Sequence, residues 1–113
     1  MNQVILDGCV QKNVNLLSEI SSFNLSAITG EFTLPNNKKK NRFTYIRVVY
    51  PRDIDEYLES VVQPNNMVRV YGKIDSEQYE TESGKTVYNK ILCAEKVVKI
   101  RFNKDTQQYE EVI

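Results

Sequence analysis

The chain has no histidine, only two cysteines and no net charge. Without histidine, the commonest general base near neutral pH and the commonest metal ligand are both missing. Cys9 and Cys93 fall in apolar, strand-like segments without Cys-x-x-Cys spacing. They read as buried free thiols, and no metal, redox group or other cofactor is expected. Fifteen basic residues balance fifteen acidic ones, so no global field announces a polyanion or a membrane, and any electrostatic site has to be local. No run of about eighteen apolar residues occurs. The opening MNQVILDGCVQKN has neither a basic start nor a long apolar stretch, which leads to the expectation of a soluble, cytoplasmic protein without a membrane partner.

The parts of an enzyme are missing too. Asp53, Asp55 and Glu56 read as a helix start, and no nucleophile has a base beside it. The SGKT at 83–86 looks like the end of a phosphate-binding loop, but that loop needs a glycine where Tyr79 stands, and a helix after it. The segment from Thr86 to Leu92 is instead rich in β-branched and aromatic residues. A hairpin with Ser83-Gly84 at its tip is expected there.

What is present is strand pattern. At 113 residues the chain makes one domain that buries roughly two-thirds of its unfolded surface. Val4 to Val10 reads as a strand with Val4, Leu6, Gly8 and Val10 on one face, Phe23 to Leu34 as a second and Phe43 to Tyr50 as a third. Ile54, Tyr57, Leu58 and Val61 recur at helical spacing, with Asp53 as N-cap and Glu56 completing a capping box. Met67 to Ile74, running on to Tyr79, and Thr86 to about Lys99 give two long strands; a turn at Asn103-Lys104-Asp105 leads to a short last one. The expected architecture is all-β with one helix. Its order fits an OB-fold, a five-stranded Greek-key barrel with the helix between strands 3 and 4. The barrel is expected over 1–99, with a C-terminal β-hairpin extension over 100–113.

Charge and aromatic residues concentrate in one place. KKKNRFTYIRVVYPR, Lys38 to Arg52, holds six basic residues and no acid. Alternation puts Phe43, Tyr45, Arg47 and Val49 on one side of the third strand, and Arg69, Tyr71 and Lys73 on the polar side of the fourth. Flat rings between cations suit single-stranded nucleic acid, because rings stack on exposed bases for about 1–3 kcal/mol each while cations follow the phosphates. Arg, Lys and Tyr are also ordinary residues for the wet side of a half-buried strand. Tyr71 or Phe43 packing into an oligomer contact is the other use such rings find.

Three segments in order give a more specific signal. NQVILDG, TYIRVVY and VRVYGKIDSEQYETESGKTVY resemble the first strand, third strand and long hairpin of bacterial single-stranded DNA-binding proteins. The resemblance covers roughly Asn2 to Val98. It implies sequence-tolerant binding and protection of single-stranded DNA in replication, recombination or repair, without catalysis. By matching position it implies base stacking on Tyr45, Tyr79 and Phe32, with Lys85 at the hairpin tip available to phosphate. Together with the residues singled out by pattern, the candidate DNA-binding set is Phe32, Lys38, Lys39, Lys40, Arg42, Phe43, Tyr45, Arg47, Arg69, Tyr71, Lys73, Tyr79, Lys85 and Tyr88. The family usually stacks with tryptophan, which this chain lacks, and is commonly basic where Asp75, Glu77, Glu80 and Glu82 stand here. The chain also stops at QQYEEVI, without the family's long acidic-tipped tail. It looks like a short, tailless plasmid, phage, accessory or primosomal member. A homo-oligomer, dimer or tetramer, is implied, with replication proteins as possible partners. The acidic hairpin motivates a second reading, a protein adaptor of a primosome or replication complex with weak DNA binding.

Overall fold

A computed structural model describes residues 2–16 and 20–112. Among these residues the chain is mostly β with a single short helix: β1 (Val4–Val10), β2 (Asn15–Leu16), β3 (Ser21–Thr33), β4 (Lys39–Tyr50), α1 (Glu56–Val61), β5 (Met67–Glu80), β6 (Thr86–Asn103) and β7 (Gln108–Glu111). The strand pairings form a circuit. β1 pairs with β5, β5 with β6, β6 with β4 and β4 with β3, and β3 returns to β1 through Gly8–Val10 against Leu25–Ala27. All of these are antiparallel except β4–β6, which runs parallel over Arg47–Val49.

Two-residue alternation decides what the circuit encloses. Val10, Phe23, Leu25, Val48, Val68, Val70 and Leu92 point inward and are at most 2% exposed; burying side chains of this kind stabilises by roughly 1.5–3 kcal/mol each. Leu58, Val61 and Val62 plug the cluster from α1 and its end. Two glycines let the backbones approach. A Cβ on Gly8 would stand 2.4 Å from the Ser26 carbonyl oxygen, and one on Gly72 would stand 2.2 Å from that of Cys93. Gly8 lies where β1 pairs with both β5 and β3, and Gly72 lies at the β5–β6 bulge.

Several expected boundaries shift. The described residues form seven strands, not five plus an extension, because Asn15–Leu16 adds a short pairing with Ser21–Ser22. β4 begins at Lys39, so the lysine run is mostly strand: Thr33 pairs with Lys39 and Phe32 with Lys40. The turn is confined to Leu34–Lys38, closed by the Leu34 amide donating to the Lys38 carbonyl at 2.8 Å, with Asn37 at φ 66°. α1 is capped by Asp55, not Asp53; the Leu58 amide donates to the Asp55 carboxylate at 2.7 Å. The helix therefore starts later, and Ile54 packs on the core from outside it. Tyr57 is 47% exposed instead of buried, and its hydroxyl accepts from the Lys99 amide. Both cysteines are free but only half-buried. β6 runs past Lys99 to Asn103, and the last turn closes where the Asn103 side chain accepts from the Asp105 amide.

Candidate nucleic-acid interface

Inward valines leave their neighbours outward. On β4 the outer residues are Phe43, Tyr45 and Arg47, the first two 55% and 74% exposed. Cross-strand register places Ile28, Ser26 and Asn24 of β3 opposite them, on the same face. β6 continues that face on the other side of β4, with Ile91 beside Arg47. β5 comes next, where Glu77 lies opposite Asn89 and Tyr79 opposite Val87. One outer sheet surface thus carries Phe43, Tyr45, Arg47 and Tyr79. Arg47 is not bare: its guanidinium is bonded to the Glu77 carboxylate.

The β3–β4 arm continues this sheet: Asn41 and Lys39 stay on the outer face, whereas Lys40, Arg42 and Phe32, which pairs with Lys40, alternate to the other face. The Arg42 guanidinium sits 5.8 Å from the Phe32 ring centroid, a cation–π arrangement that holds the ring at the edge of the arm. Lys38, Lys39 and Lys40 are exposed along it. At the far end of the face, the β5–β6 hairpin turns over Thr81–Lys85, with Gly84 at φ 82° and the Thr81 amide bonded to the Lys85 carbonyl. Lys85 is exposed at this tip. Tyr88 is 68% exposed but alternates to the opposite face of the hairpin, across from Gln78.

The remaining candidates are engaged elsewhere. Arg69 donates to both Asp7 carboxylate oxygens, at 2.7 and 3.0 Å, to Glu111 at 3.3 Å and to the Tyr109 carbonyl at 3.2 Å. Tyr71 donates its hydroxyl proton to Glu111, and the Lys96 ammonium lies 5.4 Å from its ring centroid. Lys73 pairs with Glu95 at 3.6 Å. Sequence alternation placed these side chains outward, but the C-terminal strand β7 comes to meet Arg69 and Tyr71. The network shifts its members: the hydrogen bond to Asp7 leads in raising Arg69, the bond to Glu111 leads in raising Tyr71, and the bond from Tyr71 leads in lowering Glu111, with Arg69 adding to it.

Sequence reasoning overlooked the partnership of Arg47 with Glu77 and the part of Phe102, 43% exposed beside Tyr109. The signal for Glu77 was its two-residue step from Tyr79. Reading it required the parallel β4–β6 register. Among the described residues, no group of three or more His, Cys, Asp and Glu side chains is arranged to hold a metal ion, and no helix is long and apolar enough to cross a membrane.

Compared with known families, residues 1–100 match the Single-strand binding protein family. The chain belongs to that family. Family membership places it among DNA-binding, non-catalytic proteins. No curated protein matches it in sequence. Among solved structures, it is similar to a Plasmodium falciparum SSB in complex with ssDNA, with TM-score 0.65 and 17% identity over 83% of this chain and 86% of that one. It is also similar to a small single-stranded DNA-binding protein from Streptomyces coelicolor, with TM-score 0.64 and 13% identity over 86% and 92% of the two chains. At these identities the likeness establishes an OB-fold-like architecture shared with SSB proteins.

Proposed function

We propose that this chain binds single-stranded DNA with little regard to sequence, by laying bases on Phe43, Tyr45 and Tyr79 while phosphates follow Lys38, Lys39, Lys40, Arg42, Arg47 and Lys85, with Phe32 on the other face of the β3–β4 arm taking a base where the strand wraps over it. The observation that carries the reading is Tyr45. It stands 74% exposed on a strand whose other side is core, next to another open ring and within a run of cations. An exposed ring at the centre of a rigid sheet is ready to receive a base without reorganising. Tyr88, on the other face of the hairpin, serves a strand that wraps over the tip. Arg69 and Tyr71 contribute less, because Asp7 and Glu111 hold their polar groups; Arg47 and Lys73, in exposed pairs with Glu77 and Glu95, exchange those partners for phosphate. The family match supports the same ligand.

On this reading the five-strand circuit serves as an OB-type barrel, and the protein protects single strands during replication, recombination or repair in the cytoplasm, alongside replication proteins. Exposed Ile20, 47%, suits a homo-oligomer, and a dimer or tetramer would let one strand pass over several copies. The test is titration of oligo-dT onto the parent, Tyr45→Ala and Arg47→Ala at moderate salt. Loss of one stacked base weakens binding by about 5- to 150-fold, the equivalent of about 1–3 kcal/mol. Affinity equal to the parent in both variants rejects this assignment.

A further inference from the structure

A cleft of about 1000 Å3 opens beside the outer face of β4. Ile28 and Asn41 of the β3–β4 arm line one flank, Ile5 and Tyr71 of β1 and β5 lie between, and Phe102 and Tyr109 of the β6–β7 hairpin line the other. Its volume is at the upper end of the roughly 300–1,000 Å3 that small-molecule ligands fill.

We infer that this cleft takes nucleobases from the same strand that crosses Tyr45, so that the C-terminal hairpin is part of the binding surface. This rests on the proposed binding of single-stranded DNA. The first ground is continuity. Phe43, Asn41 and Lys39 alternate along one face of β4; Phe43 belongs to the open sheet face, whereas Asn41 and Lys39 line the cleft. Ile28, paired directly with Phe43, lines it as well. A strand leaving Tyr45 along β4 therefore enters the cleft without crossing a ridge of core residues.

The second ground is chemistry. Phe102 and Tyr109 form an edge-to-face pair with centroids 5.2 Å apart, and Phe102 remains 43% exposed. An open ring braced by a second one is a stacking platform. Asn41 and Gln107 bring side-chain amides, each with a donor and an acceptor suited to a base edge. Gln107 spends its Nε2 on the Lys104 carbonyl at 2.6 Å, and that bond orients its oxygen.

The third ground is charge. Arg69, which lines the cleft, is held by Asp7 and Glu111, and the Glu31 carboxylate lines the cleft as well, so this part of it offers no bare cation to a phosphate. Flat, uncharged bases suit it, with the backbone at the rim beside Lys39. A purely electrostatic groove would have left Arg69 unpaired.

The experiment is photo-cross-linking of the unmodified chain to dT oligomers carrying one 5-iodouracil at successive positions, with the attachment sites mapped by mass spectrometry. The inference expects attachment at Phe102 or Tyr109 from positions several nucleotides away from those that attach to Tyr45 or Phe43. It also expects Phe102→Ala to weaken long oligomers about 5-fold or more, leaving the shortest bound length unchanged. Attachment at Tyr45 and Phe43 with none at Phe102, Tyr109 or Tyr71 overturns the cleft assignment and leaves DNA binding intact. No retention of any oligomer at low salt removes both. If a second copy fills the cleft instead, attachment there is absent and Phe102→Glu lowers the sedimenting mass, which also overturns the inference.

Discussion

Arg47 on β4 and Glu77 on β5 are ion-paired across the intervening strand β6. Tyr45 and Tyr79 lie two residues along from each, on the same outer face. Both rings therefore lie on the hairpin-tip side of the pair, which neutralises a cation beside them where a phosphate would pass. Its opposite charges also tie the hairpin to the central strand.

That arrangement gives the first prediction. Glu77→Gln removes a repulsive charge and frees Arg47, so oligo-dT affinity should rise about 2- to 5-fold, the range of an exposed pair. The log–log salt slope should steepen by up to about 0.7, one further phosphate on a single strand. Measured affinities in a salt series check both. An unchanged slope would mean that Arg47 does not reach phosphate.

The core makes a second prediction. At Gly72 an added Cβ meets the Cys93 carbonyl at 2.2 Å, and the neighbour is backbone that cannot swing away. Gly72→Ala should lose roughly 1–3 kcal/mol or more, read as a lower urea midpoint at constant slope. Gly30, with nothing within 4 Å of such a Cβ, has φ 158°, so only conformational strain applies there. A Gly72→Ala protein as stable as the parent would show that β5 and β6 do not approach so closely.

Helix capping separates two neighbouring aspartates. Asp55→Ala should cost about 1 kcal/mol, because it removes the acceptor for the Leu58 amide. Asp53→Ala, outside the helix, should stay within about 0.5 kcal/mol of the parent. Thermal or urea unfolding of both variants compares them directly.

The strap formed by β7 should respond to pH at both ends. Glu111 is lowered from its ordinary 4.5, chiefly by the Tyr71 hydroxyl. Its contribution is therefore present above that value and is lost as pH falls through the lower folded one. Tyr71 is raised from its ordinary 10.0, chiefly by Glu111. Its contribution is full below 10.0 and fades as pH rises through the folded value. Glu111→Gln should flatten the acid limb of a melting-temperature profile, and Tyr71→Phe the alkaline limb. Parallel profiles for parent and variants would deny the contact.

Much of the architecture was legible because alternation is a local property. Val68 and Val70 inward against Arg69 and Tyr71 outward, and Tyr45 outward from Val48, result from a period of two. The start of β4 was not legible, since a lysine run reads as a loop until Thr33 and Phe32 supply partners for Lys39 and Lys40. The same limit hid the fate of Arg69: its acidic partners stand 62 and 42 residues away, and composition alone cannot bring them together. For the candidate site, the aromatic and basic residues of β4 could be read in advance. The counter-charge on Arg47 needed a parallel register that no short-range pattern encodes.

The most direct test of the central claim is tyrosine fluorescence of the unmodified chain titrated with oligo-dT at increasing salt. Bases stacked on Tyr45 and Tyr79 should quench it, with log affinity falling linearly in log salt at about 0.7 per phosphate neutralised, and Tyr45→Ala should lose a large share of the quench. Emission unchanged by oligo-dT at low salt would contradict a nucleic-acid role for the outer face of β4.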